Sequence, residues 1–401
     1  MKAKKSLRVP YALSVYNQKE ITKVIKVLKE HRTNLGKEVY EFEKNVAAKF
    51  GKKYGLMVNS GSSANLLATE ILQLPEGSEI ITPLLTFSTT IAPLIQKKLV
   101  PVFADVEEGT YQINVSQIEG LITKKTKALM IPLLLGNVAD IKKLRQLANK
   151  YNLFLIEDSC DTLGATFDAK PTGSYTDIST TSFFGSHIIT SGGNGGMIMV
   201  NKDEWKDRIK MLRGWGRSSS LFGETEDITT RFKASVDGIP YDAKFVFGEL
   251  GYNFLPNEMC AAFGNEQFKK LPLFKKTREE NFKKLYSFFK QYEELFILPK
   301  QLSQVSTQWL AFPLTIRKNA KFSRLELVTY LEKQNIQTRP IFTGNILRHP
   351  GFNTIPHKII KQNHYITNDI MERGFLIGCH HGMEEKHINK IKNVFTAFLN
   401  K

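Results

Sequence analysis

Thr181-Ser182-Phe183-Phe184-Gly185-Ser186-His187-Ile188-Ile189-Thr190-Ser191-Gly192-Gly193-Asn194-Gly195-Gly196-Met197-Ile198-Met199-Val200 reads as an apolar strand, a polar turn, a glycine-rich loop and a second apolar strand. One histidine, His187, sits at the mouth of the turn. Glycine lets backbone come close to a ligand or take a positive φ, and the end of a buried strand is where α/β folds place chemistry. On residue type alone two readings stand: a plain chain reversal with a structural histidine, and a loop that carries a site.

Around this stretch, strand-like runs alternate with helical patterns. The runs are Tyr54 to Val58, Ser78 to Pro83, Leu99 to Val106, Ala128 to Leu135, Leu153 to Ser159, Ile178 to Phe184 and Gly196 to Val200. Helical spacing marks Gln18 to Glu30, Val39 to Phe50 and Ile141 to Tyr151. Such alternation predicts a mostly parallel sheet with helices on both faces. The stretch Arg213 to Val246 is polar and irregular, which reads as a long functional loop. Helices Asn257 to Leu271 and Leu273 to Tyr292 lead into a second unit. That unit holds a strand-like Gln308 to Ile316, a helix Ser323 to Gln334, a turn Arg339-Pro340-Ile341 and a terminal helix Glu384 to Leu399. It reads as a smaller α+β domain.

Two local patterns point to a site. Asn59-Ser60-Gly61-Ser62-Ser63-Ala64-Asn65 follows a strand and opens a helix that runs to about Leu74. Converging backbone N–H groups there would bind an anion, although Ser62 or Ser63 could equally be an ordinary N-cap. Asp158 ends the apolar run Leu153-Phe154-Leu155-Ile156-Glu157, and a carboxylate at a buried strand tip is costly unless paired. A cap for the next turn is the alternative.

Length and composition set outer bounds. A chain of 401 residues, 42% hydrophobic and 24% charged, can bury a large core in two domains. No run of 18 apolar residues occurs, so no membrane span is expected. Met1-Lys2-Ala3-Lys4-Lys5 is basic with no apolar stretch behind it, which predicts no secretory signal. Cys160, Cys260 and Cys379 lie far apart, as reduced thiols in a cytoplasm would, and no metal-ligand spacing is present. The formal charge of +17 comes from lysines scattered through helices and loops. That pattern suits a solvated surface better than a nucleic-acid interface, and its field favours a pyrophosphate substrate.

The opening stretch resembles the sugar aminotransferases of the DegT/DnrJ/EryC1/StrS group: a serine, two aromatics, a short turn, one special residue and a Gly-x-Gly-Gly loop. The resemblance runs from about Tyr11 to the end. It implies the aspartate-aminotransferase fold (fold type I), with a large cofactor-binding domain over residues 1–265 and a smaller C-terminal domain over 266–401. The N-terminal segment would pack on the small domain. It also implies pyridoxal phosphate or pyridoxamine phosphate as cofactor.

In that group the special residue is a lysine that holds the cofactor as a Schiff base. Here it is His187, and no lysine occurs between Lys170 and Lys202. The replacement is similar to the nucleotide-diphospho-4-keto-6-deoxyhexose 3-dehydratases, a branch used in O-antigen and other lipopolysaccharide sugars. Arg213-Gly214-Trp215-Gly216-Arg217, Gly251-Tyr252-Asn253, Glu157-Asp158-Ser159-Cys160-Asp161 and Arg339-Pro340-Ile341-Phe342-Thr343-Gly344-Asn345 resemble the signatures of that branch.

What the branch implies can be set residue by residue. His187 would serve as acid and base, since imidazole titrates near neutral pH. Asp158 would pair with the cofactor's ring nitrogen, and Asp161 would lie beside the cofactor. Phe87 would stack on the ring, unless it is one more core phenylalanine. Gly61, Ser62 and Ser182 would form the phosphate cup. Asn253 would reach the phosphate of a neighbouring subunit, which predicts a homodimer, unless it is only a turn residue. Arg217 is the candidate for the amino donor's carboxylate, with Arg339 as a second substrate-binding arginine.

Two departures are visible. The usual Gly-Glu-Gly-Gly is here Gly193-Asn194-Gly195-Gly196. One dehydratase branch also holds a [2Fe-2S] cluster on four cysteines. Cys160 occupies the first ligand's place, but Ser218-Ser219-Ser220-Leu221 follows Arg217 where the others would cluster. The resemblance therefore implies the cluster-free type, which regenerates pyridoxamine phosphate from glutamate. The alternatives are a sugar aminotransferase that has lost its lysine and a non-catalytic relative of the same fold.

Overall fold

The computed structural model describes residues 7–222 and 227–400. The basic segment Met1-Lys2-Ala3-Lys4-Lys5 lies outside the described residues, as do residues 223–226 of the polar stretch. An eight-stranded sheet forms the centre. Its strands lie in the order Tyr54–Val58, Gly196–Val200, Ile178–Ser182, Phe154–Asp158, Thr126–Pro132, Glu79–Pro83, Val100–Ala104 and Lys358–Ile359. Gly196–Val200 alone runs against its neighbours; the other pairings are parallel. The expected mostly parallel α/β architecture is what forms.

Period-two alternation explains why both faces are covered. Leu129 and Ile131 point into one core with Ile81 and Leu155, against the helix Ile141–Lys150. Ala128 and Met130 point into another with Ile80, Ile156 and Ile198, against the helices Gly61–Glu70 and Ser88–Gln96. A parallel sheet buried on both faces needs such near-continuous apolar strands. Asn17 and Glu20 close a capping box on the helix Gln18–Lys29, and Asn257 caps Glu258–Lys269. These side chains take up N–H groups that the helices cannot pair themselves.

A second, antiparallel sheet runs Phe296–Ile297, Ala311–Ile316, Gly374–Gly378, Thr338–Pro340. Leu285 and Phe289 of the helix Leu271–Phe289, Leu327 and Leu331 of Arg324–Lys333, and Ile388, Ile391 and Phe395 of Glu385–Leu399 cover it. Val9 joins this core and exchanges backbone hydrogen bonds with Asn335 and Gln337 at 2.8 and 2.9 Å.

Several local expectations need correction. The strand expected to run to Leu135 stops at Pro132; Leu134–Gly136 is a 3-10 turn with Leu135 at φ +62°. Arg339-Pro340-Ile341 is not a turn: Arg339 and Pro340 belong to an edge strand, where proline's missing N–H costs no ladder bond. The polar stretch after Arg213 holds short helical turns and a hairpin, Ala234–Val236 with Ile239–Tyr241. The helix cap before Gly61 is Ser60, not Ser62 or Ser63. Helix Ile366–Arg373 and strand Gly374–Gly378 had no counterpart in the sequence reading.

Candidate active site

The strand tips Pro132, Asp158 and Ser182 converge with the N-terminus of the helix Gly61–Glu70 on a cavity of ≈ 240 Å³. This is the crevice at the carboxyl ends of the strands, where open α/β sheets bind ligands. Asp158 is buried and its oxygens are held from three directions. Asn65 Nδ2 and Thr90 Oγ1 donate to Oδ2 at 2.8 and 2.7 Å. The Cys160 N–H donates to Oδ1 at 3.2 Å. Thr180 Oγ1 donates to Asn65 Oδ1 at 2.6 Å, which fixes the amide so that its NH₂ faces the carboxylate. Asp158 thus does cap the following turn, but most of its bonding serves the cavity wall.

On the adjoining wall, Ser60 Oγ accepts from the Ser63 N–H at 3.1 Å. The Gly61 and Ser62 N–H groups begin the helix, so the helix itself cannot pair them. Ser62 Oγ donates to Thr89 Oγ1 at 2.9 Å. Ser182 Oγ accepts from the Phe184 N–H at 3.3 Å. Gly61 is required for the fit: a Cβ there would lie 2.7 Å from both Cys160 Sγ and Ser182 Cβ. Gly196 is required too, since its Cβ would lie 2.3 Å from the Ser60 carbonyl.

His187 stands on the glycine-rich loop, which is knitted together locally. Gly193 N–H donates to Thr190 Oγ1 at 2.8 Å, and Thr190 Oγ1 donates to the Phe183 carbonyl at 3.0 Å. Gly192, Gly193 and Gly195 take φ values of +80°, +113° and +144°, the region glycine tolerates. The His187 Nε2 lies 3.8 Å from Asp161 Oδ1, and Nδ1 is buried without a hydrogen bond. Burial drives the His187 pKa down to about 4, opposed by the nearby Ser182 carbonyl and the Asp158 charge. Asp161 Oδ2 accepts from the Leu135 N–H at 3.0 Å. Burial pushes the Asp161 pKa up to about 7; the Leu135 N–H opposes this and the Asp158 charge adds to it.

Phe87, half exposed, lines the cavity edge-on to Phe342, with ring centroids 6.4 Å apart. It is not a core phenylalanine. Gly61, Ser62, Phe87, Asp158, Asp161, Ser182 and His187 therefore all line one cavity. Three other residues singled out from the sequence do not. Asn253 is exposed, with its backbone bridged to Gly214. Arg217 lies in a separate pocket with its guanidinium 4.5 Å from the Trp215 ring. Arg339 sits 5.4 Å from the Tyr11 ring.

A model of the DegT/DnrJ/EryC1/StrS aminotransferase family matches residues 15–396. The chain belongs to this family. The lipopolysaccharide biosynthesis protein RfbH of Salmonella typhimurium is 35% identical, over 97% of this chain and 91% of that protein. The GDP-4-keto-6-deoxy-D-mannose 3-dehydratase of Yersinia pseudotuberculosis is 33% identical, over 85% of this chain and 86% of that protein. A crystal structure of GDP-4-keto-6-deoxymannose-3-dehydratase with a trapped PLP-glutamate geminal diamine superposes with a TM-score of 0.86 at 29% identity. It covers 96% of this chain and 99% of that one. The fold is thus the type I architecture of these pyridoxal-phosphate enzymes.

The geometry gives a place in the site to residues that the family resemblance had left without a role. Asn65, Thr90 and Thr180 form the shell behind Asp158, and Phe184, Asn194 and Phe342 complete the lining. Asn65 could have been found by spacing. It lies four residues after Gly61, one helical turn on, and so shares the face that Gly61 turns to the sheet.

Proposed function

We propose that this chain is a pyridoxamine-phosphate-dependent 3-dehydratase of a nucleotide-diphospho-4-keto-6-deoxyhexose, of the O-antigen type. One observation carries the reading: a buried cofactor-sized cradle with an imidazole where the family's aminotransferases place a lysine. The cradle's donor set suits the cofactor. Asp158, fixed by Asn65 and Thr90, would hold the ring nitrogen in its protonated form. Gly61, Ser62 and Ser182 would take the phosphate at the helix N-terminus, where the dipole and free N–H groups favour an anion. Phe87, exposed at the rim, would cover one face of the ring. When bound, the cofactor supplies an electron sink conjugated to the sugar's C4.

His187 cannot form the lysine-type covalent link. Its neutral ring would instead take and return a proton at Nε2, the nitrogen nearer Asp161, and help the C3 hydroxyl leave. Asp161 would contact the cofactor from the same side. Glutamate as the amino donor is supported by the relative whose crystal structure holds a PLP-glutamate adduct. Arg217 and Arg339 would bind the carboxylate of that donor or the sugar nucleotide. Exposed Asn253 would reach the phosphate of a second copy, making the active form a homodimer.

The test is incubation with pyridoxal phosphate, glutamate and GDP-4-keto-6-deoxymannose, with mass detection of the sugar nucleotide. Loss of one water per sugar is expected. Accumulation of an amino sugar would make the protein an aminotransferase instead. Failure to bind any B6 vitamer would make it a non-catalytic relative. Sedimentation of a fully active monomer would remove the role given to Asn253.

A further inference from the structure

His187 faces a conflict. A base must hold a proton for part of its cycle, yet this ring, edge-on to Phe184 with centroids 6.0 Å apart, is largely buried, a setting that disfavours the charged form. Asp161 is the acidic group closest to resolving it. Its carboxyl is anchored from behind by the Leu135 N–H, on a residue held at positive φ, so the second oxygen is left facing His187 Nε2 at 3.8 Å. Among the described residues neither group has another side-chain partner: His187 Nδ1 is unbonded and Asp161 receives only the backbone donor. At 3.8 Å the two are too far apart for a hydrogen bond in the resting site but well within ion-pair range.

We propose that Asp161 is the positioning residue of His187: its carboxylate offsets the charge that the imidazole acquires when Nε2 takes a proton, and so sets the basicity of the ring. This rests on the dehydratase reading above and adds to Asp161 a role beyond contact with the cofactor. The proton comes from carbon, the N–H bond forms at Nε2, and the carbon's electron pair stays with the substrate–cofactor system. Asp161 takes no proton in the step. It acts only when ionised, which its burial postpones to near neutral pH.

Other groups face the dyad. Asp158 and Cys160 lie on the same turn, Tyr11 comes from the N-terminal segment and Arg278 from the helix Leu271–Phe289. Burial pushes the Tyr11 and Cys160 pKa values up, and Arg278 is lowered by burial only to about 10. None of these three titrates near neutral pH. A change at His187 near pH 7 that Asp161→Asn removes therefore reports Asp161. Strongly interacting groups titrate as a pair, so each ring signal carries both steps.

The experiment uses the free protein with ¹⁵N-labelled histidine, His187→Asn identifying the signal. The His187 ring should show an inflection near pH 7 as Asp161 ionises, beside its own at lower pH. Asp161→Asn, whose amide oxygen can still accept from Leu135, should lose the upper inflection and keep the lower. Absence of an upper inflection in the wild type, or its survival in Asp161→Asn, would overturn the proposal. This arm needs no cofactor, so it decides even if the protein turns over no sugar.

A second arm follows the glutamate half-reaction by the change in cofactor absorbance. Asp161→Asn should slow it on the order of tenfold to a hundredfold and flatten its acidic limb, less than the ~10²–10⁴ that an acid–base group itself supplies. Cofactor affinity is measured alongside, because Asp161 also lines the cofactor's cavity. Asp161→Glu, which restores the carboxylate, should recover most of the rate and the limb. If Asp161→Asn loses cofactor affinity with an unchanged pH profile, Asp161 is a cofactor ligand only and the proposal fails.

Discussion

The two ends of the cavity are built in opposite ways. Around Asp158 every polar partner is satisfied: Asn65, Thr90 and the Cys160 N–H converge on the carboxylate, and Thr180 holds Asn65 from behind. Asn65, Thr90 and Thr180 are each no more than 1% exposed. Around His187 the bonding is sparse: Nδ1 has no partner and the nearest carboxylate oxygen is 3.8 Å away. A saturated end holds one geometry and resists change. An unsaturated end has hydrogen-bonding capacity left for reacting groups, at the cost of a less favourable resting state. The contrast separates holding from reacting within a single pocket.

Changing the chemistry of the sparse end should have the largest effect. His187→Lys places an amine where the family's aminotransferases have one. It should trap pyridoxal phosphate in a borohydride-reducible link, which the wild type should lack, and lose dehydration by at least the ~10²–10⁴ of a general acid–base group. Peptide mapping after reduction checks the link. A pyridoxyl-lysine peptide recovered from the wild type would show that another lysine serves the cofactor.

Next comes the saturated end. Asp158→Ala leaves the Asn65 amide and the Thr90 hydroxyl without their acceptor, each stranded donor costing about 1–3 kcal/mol. Thermal unfolding should show a lower Tm even without cofactor, and cofactor affinity should fall as well. An unchanged apoprotein Tm would mean that the network around Asp158 is not rigid. Thr90→Val is the milder version. Asn65 still donates to the same oxygen, so a loss of about 1.5 kcal/mol is expected, at the low end for a bond to a charged acceptor. A loss larger than that of Asp158→Ala would reverse the assignment of which residue holds which.

The same contrast explains what could be read from the chain. Strand tips were legible because the apolar runs ending at Val58, Pro83, Asp158 and Val200 are strongly patterned and bounded by polar or glycine residues. Asp158 and His187 stood out as polar residues at the ends of such runs. Asn65 and Thr90 did not, because a buried amide or hydroxyl inside a helix looks like any other until the fold brings a carboxylate to it. Asp161 was visible through the motif resemblance, as an acidic residue beside the cofactor three positions after Asp158. Its approach to His187 could not be read: the Leu135 N–H that holds its other oxygen is on a residue at positive φ, a backbone feature that the residue type leucine gives no hint of. The strand Gly374–Gly378 escaped because a five-residue apolar run is ambiguous by periodicity alone. Asn253, Arg217 and Arg339 came only from motif resemblance, and within one chain none of them lines the cavity.

The central claim is that His187 moves the proton while the opposite end only holds. Single-turnover dehydration by His187→Asn, with cofactor affinity measured alongside, tests it most directly. Asparagine keeps the approximate shape and one hydrogen bond but cannot shuttle a proton near neutral pH. The account predicts cofactor affinity close to wild type and a rate lower by about 10²–10⁴. Dehydration at a near wild-type rate would contradict it, and His187 would not be the base.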